Sequence, residues 1–260
     1  MLSRSQIQFI SSLQQKKFRK EHGCFIAEGD TLVEELLQSN LKFHSIFATG
    51  EWLQKHKPLI VKMEILAFEA SENELERIST LKTPNQAEAV LYIPIPFFDP
   101  TTASEQLVLM VDNINDPGNL GTIVRTADWF GIKHVICSPE TVDLYNPKTV
   151  KATMGSIARV NVHYLDLQET LGKLRSEIPV YGSLLGGEPI TETVLTKNGI
   201  IIIGSEAHGI SPGLLSHITH PVRIPALIHD GSGTKRPESL NAAVAAAILC
   251  WEFRKNFLKN

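Results

Sequence analysis

The stretch that decides the fold is LVLMVDNINDPGNLGTIVRTAD, residues 107–128. It begins with five apolar residues, which is typical of a strand buried on both faces of a sheet. A polar turn at Pro117-Gly118 follows, and we expect a helix over residues 120–130. A buried strand that leads through a turn into a helix is the repeating unit of a parallel sheet, so this stretch predicts an α/β domain.

The same alternation continues on both sides of this stretch. Toward the C-terminus, short apolar runs predict strands at residues 134–137, 180–185, 199–204 and 222–225. The last helix is expected over residues 239–256, because six apolar residues recur there with helical spacing. These residues are Leu240, Ala243, Val244, Ala247, Ile248 and Trp251. Toward the N-terminus, shorter runs alternate with helical patterns and predict a second, smaller α/β domain.

A proline-rich stretch separates the two halves of the chain. IPIPFFDPTTAS, residues 93–104, contains Pro94, Pro96 and Pro100. Each proline fixes its own φ angle and removes a backbone donor, which is typical of a linker. We therefore expect a domain over residues 1–93, a linker over 94–104 and a larger domain over 105–260.

Composition excludes several classes of protein. Of the 260 residues, 43% are hydrophobic and 20% are charged, which excludes a disordered or collagen-like chain. The N-terminus is too polar for a signal peptide, and the longest apolar run is about half of a membrane span. Three separated cysteines without a CxxC pair argue against structural zinc and for reduced thiols. We therefore expect a cytoplasmic protein without a metal or a membrane anchor.

The charge is unevenly distributed along the chain. The net charge is -3, so the composition as a whole does not indicate a nucleic-acid partner. Residues 1–20, however, carry five basic residues and no acidic one. These are Arg4, Lys16, Lys17, Arg19 and Lys20. Such a basic arm favours a polyanionic partner.

Three polar segments follow predicted strands, where ligands bind in a parallel sheet. In residues 112–128, Asn119 at a helix start and Arg125 in the helix suit an anion, although a helix cap and a surface ion pair would explain them equally. In residues 204–211, Glu206 stands at the end of the most apolar strand, where it either serves chemistry or accepts from nearby backbone donors. In residues 224–243, Ser239 is a candidate helix cap and Asn241 lies in the first turn.

These three segments together resemble the signature motifs of the SpoU/TrmH family of RNA ribose 2'-O-methyltransferases, within the SPOUT class. DPGNLGTIVRTAD with GIKHVI resembles the first motif, IIIGSEAHGIS the second, and IP with ESLNAAVAAAI the third. The resemblance covers residues 107–254. The N-terminal segment FRKEHGCFIAEGDTLVEELL is similar to the L30e-like RNA-binding domain that precedes the catalytic domain in this family.

The resemblance implies a parallel sheet with a C-terminal trefoil knot, a homodimer, and S-adenosylmethionine as the methyl donor. It implies a catalytic set and a cofactor-binding set. The catalytic set is Asn119, Arg125, Glu206, Ser239 and Asn241, and the cofactor-binding set is Leu184, Gly204, Ile224 and Leu240. RNA is expected to contact Arg125 and the basic arm through Lys16, Lys17, Arg19 and Lys20. Because an arginine stays protonated, we expect Arg125 to bind phosphate and stabilise an alkoxide rather than to act as a base.

The sequence therefore predicts an RNA 2'-O-methyltransferase that acts on large-subunit rRNA. A tRNA substrate remains open, and so does a non-catalytic RNA-binding or ribosome-assembly factor. The loop over residues 226–238 is longer than is usual in the family, which leaves open whether it assists or impairs cofactor binding. A nucleotide hydrolase or kinase is disfavoured, because neither a Walker loop nor a GxGxxG fingerprint is present.

Overall fold

A computed structural model describes residues 2–80, 85–226 and 239–255. The strands are β1 Cys24–Glu28, β2 Phe43–Ala48, β3 Ala67–Glu69, β4 Ala87–Tyr92, β5 Leu107–Val111, β6 His134–Cys137, β7 Asn161–Tyr164, β8 Val180–Pro189, β9 Gly199–Ile203 and β10 His220–Arg223. The α-helices are α1 Arg4–Ser12, α2 Lys16–His22, α3 Asp30–Leu37, α4 Gly50–Lys62, α5 Glu72–Ile78, α6 Pro117–Trp129, α7 Pro147–Thr153, α8 Leu167–Gly172, α9 Pro212–Leu215 and α10 Ala242–Arg254. Short 3-10 helices form at Pro100–Ser104 and Ser156–Ala158.

The chain divides into two compact units. The first unit contains Met1–Ile95 and Asp143–Arg159, and the second contains Pro96–Val142 and Val160–Asn260. The segment Asp143–Arg159, which carries α7, therefore belongs with the N-terminal residues although it lies well beyond the proline-rich stretch in sequence.

The first unit is built on a mixed four-stranded sheet with the order β1-β4-β2-β3. Strand β4 pairs antiparallel with both β1 and β2, whereas β2 and β3 are parallel. Apolar side chains of β1, β2 and β4 form a core with the helices that cover the sheet, and Ile10, Leu13 and Ile78 are fully buried in it. This small α/β domain confirms the prediction for the N-terminal part of the chain.

Two sets of buried ionisable side chains lie among the described residues of the first unit. Arg19 is 3% exposed, and its Nη2 lies 2.6 Å from Asp143 Oδ2. Its Nη1 donates to the carbonyl oxygens of Leu13 and Gln14, each at 2.8 Å. The guanidinium is therefore used inside the fold, which argues against the predicted RNA contact of Arg19. Nothing in the sequence distinguishes the buried Arg19 from the exposed lysines beside it.

The second set is a pair of glutamates that face each other across β1 and β4. Glu28 is the register partner of Glu88. The Glu28 carboxylate accepts from the backbone N–H and the hydroxyl of Thr80, at 3.0 and 2.8 Å. Glu88 is 2% exposed, and its Oε1 has no hydrogen-bond partner. Burial, and secondly the negative charge of Glu28, raise the pKa of Glu88 well above its usual value.

The second unit is built on a six-stranded sheet with the order β10-β8-β9-β5-β6-β7. All five strand pairings are parallel. From β5 the chain first builds outward through β6 and β7, and later strands are added on the other side of β5. The order therefore reverses between β5 and β9, which is the position where open parallel sheets bind ligands. This sheet confirms the predicted parallel α/β domain.

The buried face of the last helix overlaps little with the apolar stripe in its sequence. The buried side chains of α10 are Ala242, Ala243, Ala246, Leu249, Cys250 and Phe253, of which only Ala243 belongs to that stripe. Val244 and Trp251, which also belong to the stripe, are each 47% exposed. A helix that is apolar around most of its circumference does not reveal by spacing alone which face is covered.

Candidate active site

The candidate site lies at the carboxyl ends of β5 and β9, the neighbouring strands between which the chain order reverses. Val111 and Ile203 are register partners at the last position of these strands. Just beyond them, the backbone N–H of Asp112 donates to Ile203 O at 2.9 Å. The carboxylate of Asp112 is buried and accepts from the backbone N–H of Ser211 at 2.7 Å. These bonds hold the first two motif segments side by side.

Helix α6 begins earlier than predicted, and its cap is not Asn119. The N-cap is Asp116, with Pro117 in the first helical position, where its missing N–H costs nothing. Asp116 Oδ1 accepts from the backbone N–H of Asn119 at 2.8 Å. Because Asp116 does the capping, the Asn119 amide is available for contacts with other segments.

Glu206 stands at the tip of a tight turn that follows β9. Ser205 and Gly209 close this turn through two backbone hydrogen bonds of 3.2 and 2.8 Å. A Cβ atom at Gly204 would lie 2.1 Å from the carbonyl carbon of Gly209, so only glycine permits this close approach. The turn therefore fixes the backbone position from which the Glu206 side chain extends.

Asn119, Glu206 and Asn241 come together in one hydrogen-bonded cluster, although they lie up to 122 residues apart in sequence. Asn119 Nδ2 donates to Glu206 Oε1 at 2.6 Å. Asn241 Nδ2 donates to Asn119 Oδ1 at 2.9 Å and to Glu206 Oε1 at 3.3 Å. The backbone N–H of Ala242 donates to the same carboxylate oxygen at 3.0 Å. One carboxylate oxygen thus orients two amides and binds the start of α10.

Asn241, and not Ser239, is the N-cap of α10. Its Oδ1 accepts from the backbone N–H groups of Ala243 and Val244, at 3.0 and 3.3 Å. The helix begins at Ala242, so the expectation of a helix starting at Ser239 is wrong. Capping also explains the asparagine that helix propensity disfavours in a helix interior. The Glu206 carboxylate at this helix start is further stabilised by the helix dipole.

The other two predicted catalytic residues, Arg125 and Ser239, are not joined to the cluster by a described hydrogen bond. Arg125 is exposed on α6, six residues after Asn119, and it takes no part in the described hydrogen bonds of the cluster. Ser239 is exposed two residues before the cap of α10. Both residues remain predictions.

Three of the predicted cofactor-binding residues lie on, or directly after, three adjacent strands of the sheet. Gly204 comes directly after β9 and Ile224 directly after β10, while Leu184 lies within β8 between these two strands. The strand predicted over residues 180–185 is longer in the structure, where β8 continues to Pro189. Leu240, just before α10, is 47% exposed. Most of the predicted long loop, residues 227–238, lies outside the described residues.

Sequence reasoning missed the residues that support the cluster. Asp112 ties the first motif to the second, and Asp116 frees Asn119 by capping α6. Asp116 before Pro117 was a detectable signal, because an acidic residue followed by proline is a typical helix start. The sequence held no comparable signal for Asp112, whose partner Ser211 lies 99 residues away.

The described part of the chain lacks two features, a group of metal-binding side chains and a helix that could cross a membrane. Within residues 2–80, 85–226 and 239–255, no three side chains of the types that bind metals are grouped around a common point. In the same residues, no helix is both long and apolar enough to cross a bilayer.

Comparisons with known proteins identify the family of the chain. The SpoU rRNA Methylase family profile matches residues 106–251, and that of the MRM3-like substrate binding domain matches residues 4–89. The chain is 32% identical, over 93% of both sequences, to the 23S rRNA (guanosine(2553)-2'-O)-methyltransferase RlmP of Bacillus subtilis (strain 168).

Two solved structures share the fold over almost the whole chain. A TrmH-family protein from Porphyromonas gingivalis has 38% identity and a TM-score of 0.85, covering 98% of this chain and 99% of that one. An AdoMet-bound rRNA methyltransferase from Sinorhizobium meliloti has 26% identity and a TM-score of 0.85, covering 100% of this chain and 97% of that one. The chain therefore belongs to the SpoU/TrmH family of RNA methyltransferases, as its sequence predicts, and carries an MRM3-like substrate-binding domain before its methylase domain.

Proposed function

We propose that this methyltransferase transfers a methyl group from S-adenosylmethionine to a ribose 2'-hydroxyl of large-subunit ribosomal RNA. The observation that carries the proposal is the cluster of Asn119, Glu206 and Asn241, which joins all three motif segments at the ligand-binding edge of the sheet. The name of the Bacillus subtilis relative supports both the ribose position and the class of RNA.

In this proposal the side chains of the site mainly position the RNA. When bound, S-adenosylmethionine supplies a methyl group that its sulfonium already activates. Arg125 binds an RNA phosphate and stabilises the negative charge that develops on the ribose oxygen as the hydroxyl proton is released to water. The cluster and Ser239 hold the ribose by hydrogen bonds, with Glu206 fixing the orientation of both asparagine amides.

The cofactor-binding residues fit such a donor. Leu184, Gly204 and Ile224 belong to three adjacent strands, β8, β9 and β10, and lie toward the same edge of the sheet. Two aliphatic side chains suit the apolar parts of the donor, and a glycine lets its polar groups approach the backbone closely. We assign Leu240 to the same pocket, because it directly precedes the cap of α10.

Three finer features complete the proposal. The family resemblance supports a C-terminal trefoil knot. The exposed apolar side chains of α10, Val244 and Trp251, support a homodimer through this helix. Sedimentation velocity would then report twice the 28.8 kDa chain mass, and a Trp251→Glu variant would report one chain.

Three buried, free cysteines are consistent with a cytoplasmic protein.

The test is transfer of a labelled methyl group from S-adenosylmethionine to total bacterial RNA that is then separated by size. We expect label in the 23S rRNA with the wild-type protein, and at least a hundredfold less with Arg125→Ala. Label confined to tRNA would overturn the choice of substrate. No label with a folded protein that still binds RNA would instead indicate a non-catalytic binding factor.

A further inference from the structure

The segment Asp143–Arg159 carries positive charge that the proposed function does not use. Residues 144–159 contain Lys148, Lys151 and Arg159 and no acidic residue. Arg159 Nη1 lies 2.7 Å from Glu35 Oε1, so this charge is paired. Lys148 and Lys151 are exposed, and neither forms an ion pair with a described carboxylate. They are three residues apart on α7, so their side chains leave the same side of the helix.

Helix α7 is held beside α2 within the first unit. Both helices pack against β1. The buried ion pair between Arg19 of α2 and Asp143 joins them more directly. Asp143 in turn accepts, through its backbone oxygen, the N–H of Asn146 at 3.0 Å, and Asn146 is the N-cap of α7. The start of α7 is therefore fixed against α2 by a chain of hydrogen bonds.

Helix α2 presents three exposed lysines, Lys16, Lys17 and Lys20. At 100° per residue, these positions lie about 60°, 160° and 100° around the helix from the buried Arg19, so all three leave one side of α2. Glu21 is the acidic residue of this helix and lies about 200° from Arg19, at the margin of that side. The lysine side of α2 thus carries a net positive charge.

We propose that α2 and α7 together form one phosphate-binding face of the first unit, with Lys148 and Lys151 as RNA contacts beside Lys16, Lys17 and Lys20. This inference rests on the proposed function and adds where the RNA backbone is held. Lysine is a compact point charge on a flexible stem, which suits phosphates of any sequence. Five such charges on two adjoining helices match a dense, extended polyanion better than an isolated acidic side chain.

The test compares two charge-matched double variants of the full-length protein. Lys148→Ala/Lys151→Ala removes two charges from the proposed face. Lys57→Ala/Lys62→Ala removes two exposed charges from α4, which packs on β3 at the opposite edge of the sheet from β1. Binding to a radiolabelled 23S rRNA transcript is measured by filter retention between 50 and 200 mM KCl, and methylation of the same transcript is measured in parallel.

We expect the α7 variant to bind about tenfold more weakly, with a salt dependence smaller by about 1.5 in log–log slope, the amount that two lost phosphate contacts predict. Its KM for RNA should rise while kcat is unchanged, because the lysines lie outside the catalytic cluster. The α4 variant should stay within twofold of wild type. Lys148→Arg/Lys151→Arg should retain binding, which separates charge from side-chain shape.

Three outcomes would overturn the inference. Equal binding by the α7 and α4 variants, with a wild-type protein that binds and methylates, refutes the face and leaves the proposed function standing. A wild-type protein that neither binds nor methylates any RNA fraction refutes both. Displacement of the RNA by polyglutamate at equal charge concentration would indicate an acidic protein partner instead.

Discussion

Two groups of polar side chains in this protein, one in each unit, lie in contrasting environments. In the first unit, the ion pair of Arg19 with Asp143 and the carboxyl group of Glu88 are buried inside the fold. In the second unit, the asparagines and the glutamate of the cluster lie at an accessible edge of the sheet, where each stays within hydrogen-bond reach of the others.

The buried side chains are therefore expected to contribute to the stability of the fold, and the accessible ones to catalysis. A buried charge loses its water shell and must find partners within the protein, so its contribution is to the folded state. An accessible cluster costs less to form, and its value lies in the orientation of groups toward a substrate. We therefore expect substitutions in the first set to change the free energy of unfolding, and those in the second set to change the catalytic rate.

The largest effect is expected for Arg19→Ala. The change leaves the Asp143 carboxylate, which is 16% exposed, without its cation, and it removes the donor for two backbone carbonyls. Breaking a buried pair from one side costs about 3–5 kcal/mol. Urea unfolding followed by far-UV circular dichroism would measure the loss.

Two variants sharpen this prediction. Arg77→Ala, at an exposed position of α5, should change the free energy of unfolding little. Arg19→Ala/Asp143→Ala should be less destabilised than Arg19→Ala, because no unpaired carboxylate is left. If Arg19→Ala costs less than about 1 kcal/mol, the ion pair does not hold the first unit together.

The next effect is expected for Glu206→Ala, in the rate of methyl transfer. The change removes the common acceptor of Asn119, Asn241 and the start of α10, so both amides lose their fixed orientation. We expect kcat to fall about a hundredfold, the scale seen when one preorganised polar group is lost. RNA affinity should fall much less than kcat, since the lysines proposed to bind phosphate are untouched.

Single-turnover methylation and filter binding would check this prediction. Glu177→Ala, an exposed glutamate just before β8 at the opposite edge of the sheet, provides the control. A loss of affinity as large as the loss of rate would contradict a role confined to positioning. A large fall in the free energy of unfolding would make Glu206 a structural residue, like Arg19.

An effect of the opposite sign, which grows with pH, is expected for Glu88→Gln. Burial in the folded state raises the pKa of Glu88 well above its usual value. Below the unfolded pKa both states hold the proton, and Glu88 does not penalise folding. As the pH rises above that value only the unfolded state releases its proton, so stability falls by about 1.4 kcal/mol per pH unit until the folded group ionises. Glutamine removes this penalty.

Unfolding measured at pH 5, 6, 7 and 8 would therefore show Glu88→Gln gaining stability over wild type as the pH rises. Glu76→Gln, an exposed glutamate on α5, should give a pH profile parallel to that of the wild-type protein. If the Glu88→Gln profile also runs parallel to wild type, the Glu88 carboxyl is ionised in the folded protein, which would contradict the raised pKa.

Much of the fold followed from local patterns. The apolar runs LVLMV and GIIII predicted two central strands, since only a strand buried on both faces carries such a run next to polar turns. The resemblance of the motif segments to the family also predicted Asn119, Glu206 and Asn241 as site residues. Helix starts were less well predicted, because neighbouring polar residues such as Ser239 and Asn241 both satisfy the chemistry of a cap.

The sequence by itself determined the alternation of strands and helices, the family and the identity of the candidate site residues, because these depend on residue type and short-range spacing. Only the tertiary structure decided which polar groups meet. Asn119 and Asn241 lie 122 residues apart, and Arg19 and Asp143 lie 124 residues apart. It also decided that α7 packs in the first unit and that Arg19 is buried beside exposed lysines. Local spacing does not specify such pairings, because they arise when distant segments pack to bury their apolar surfaces.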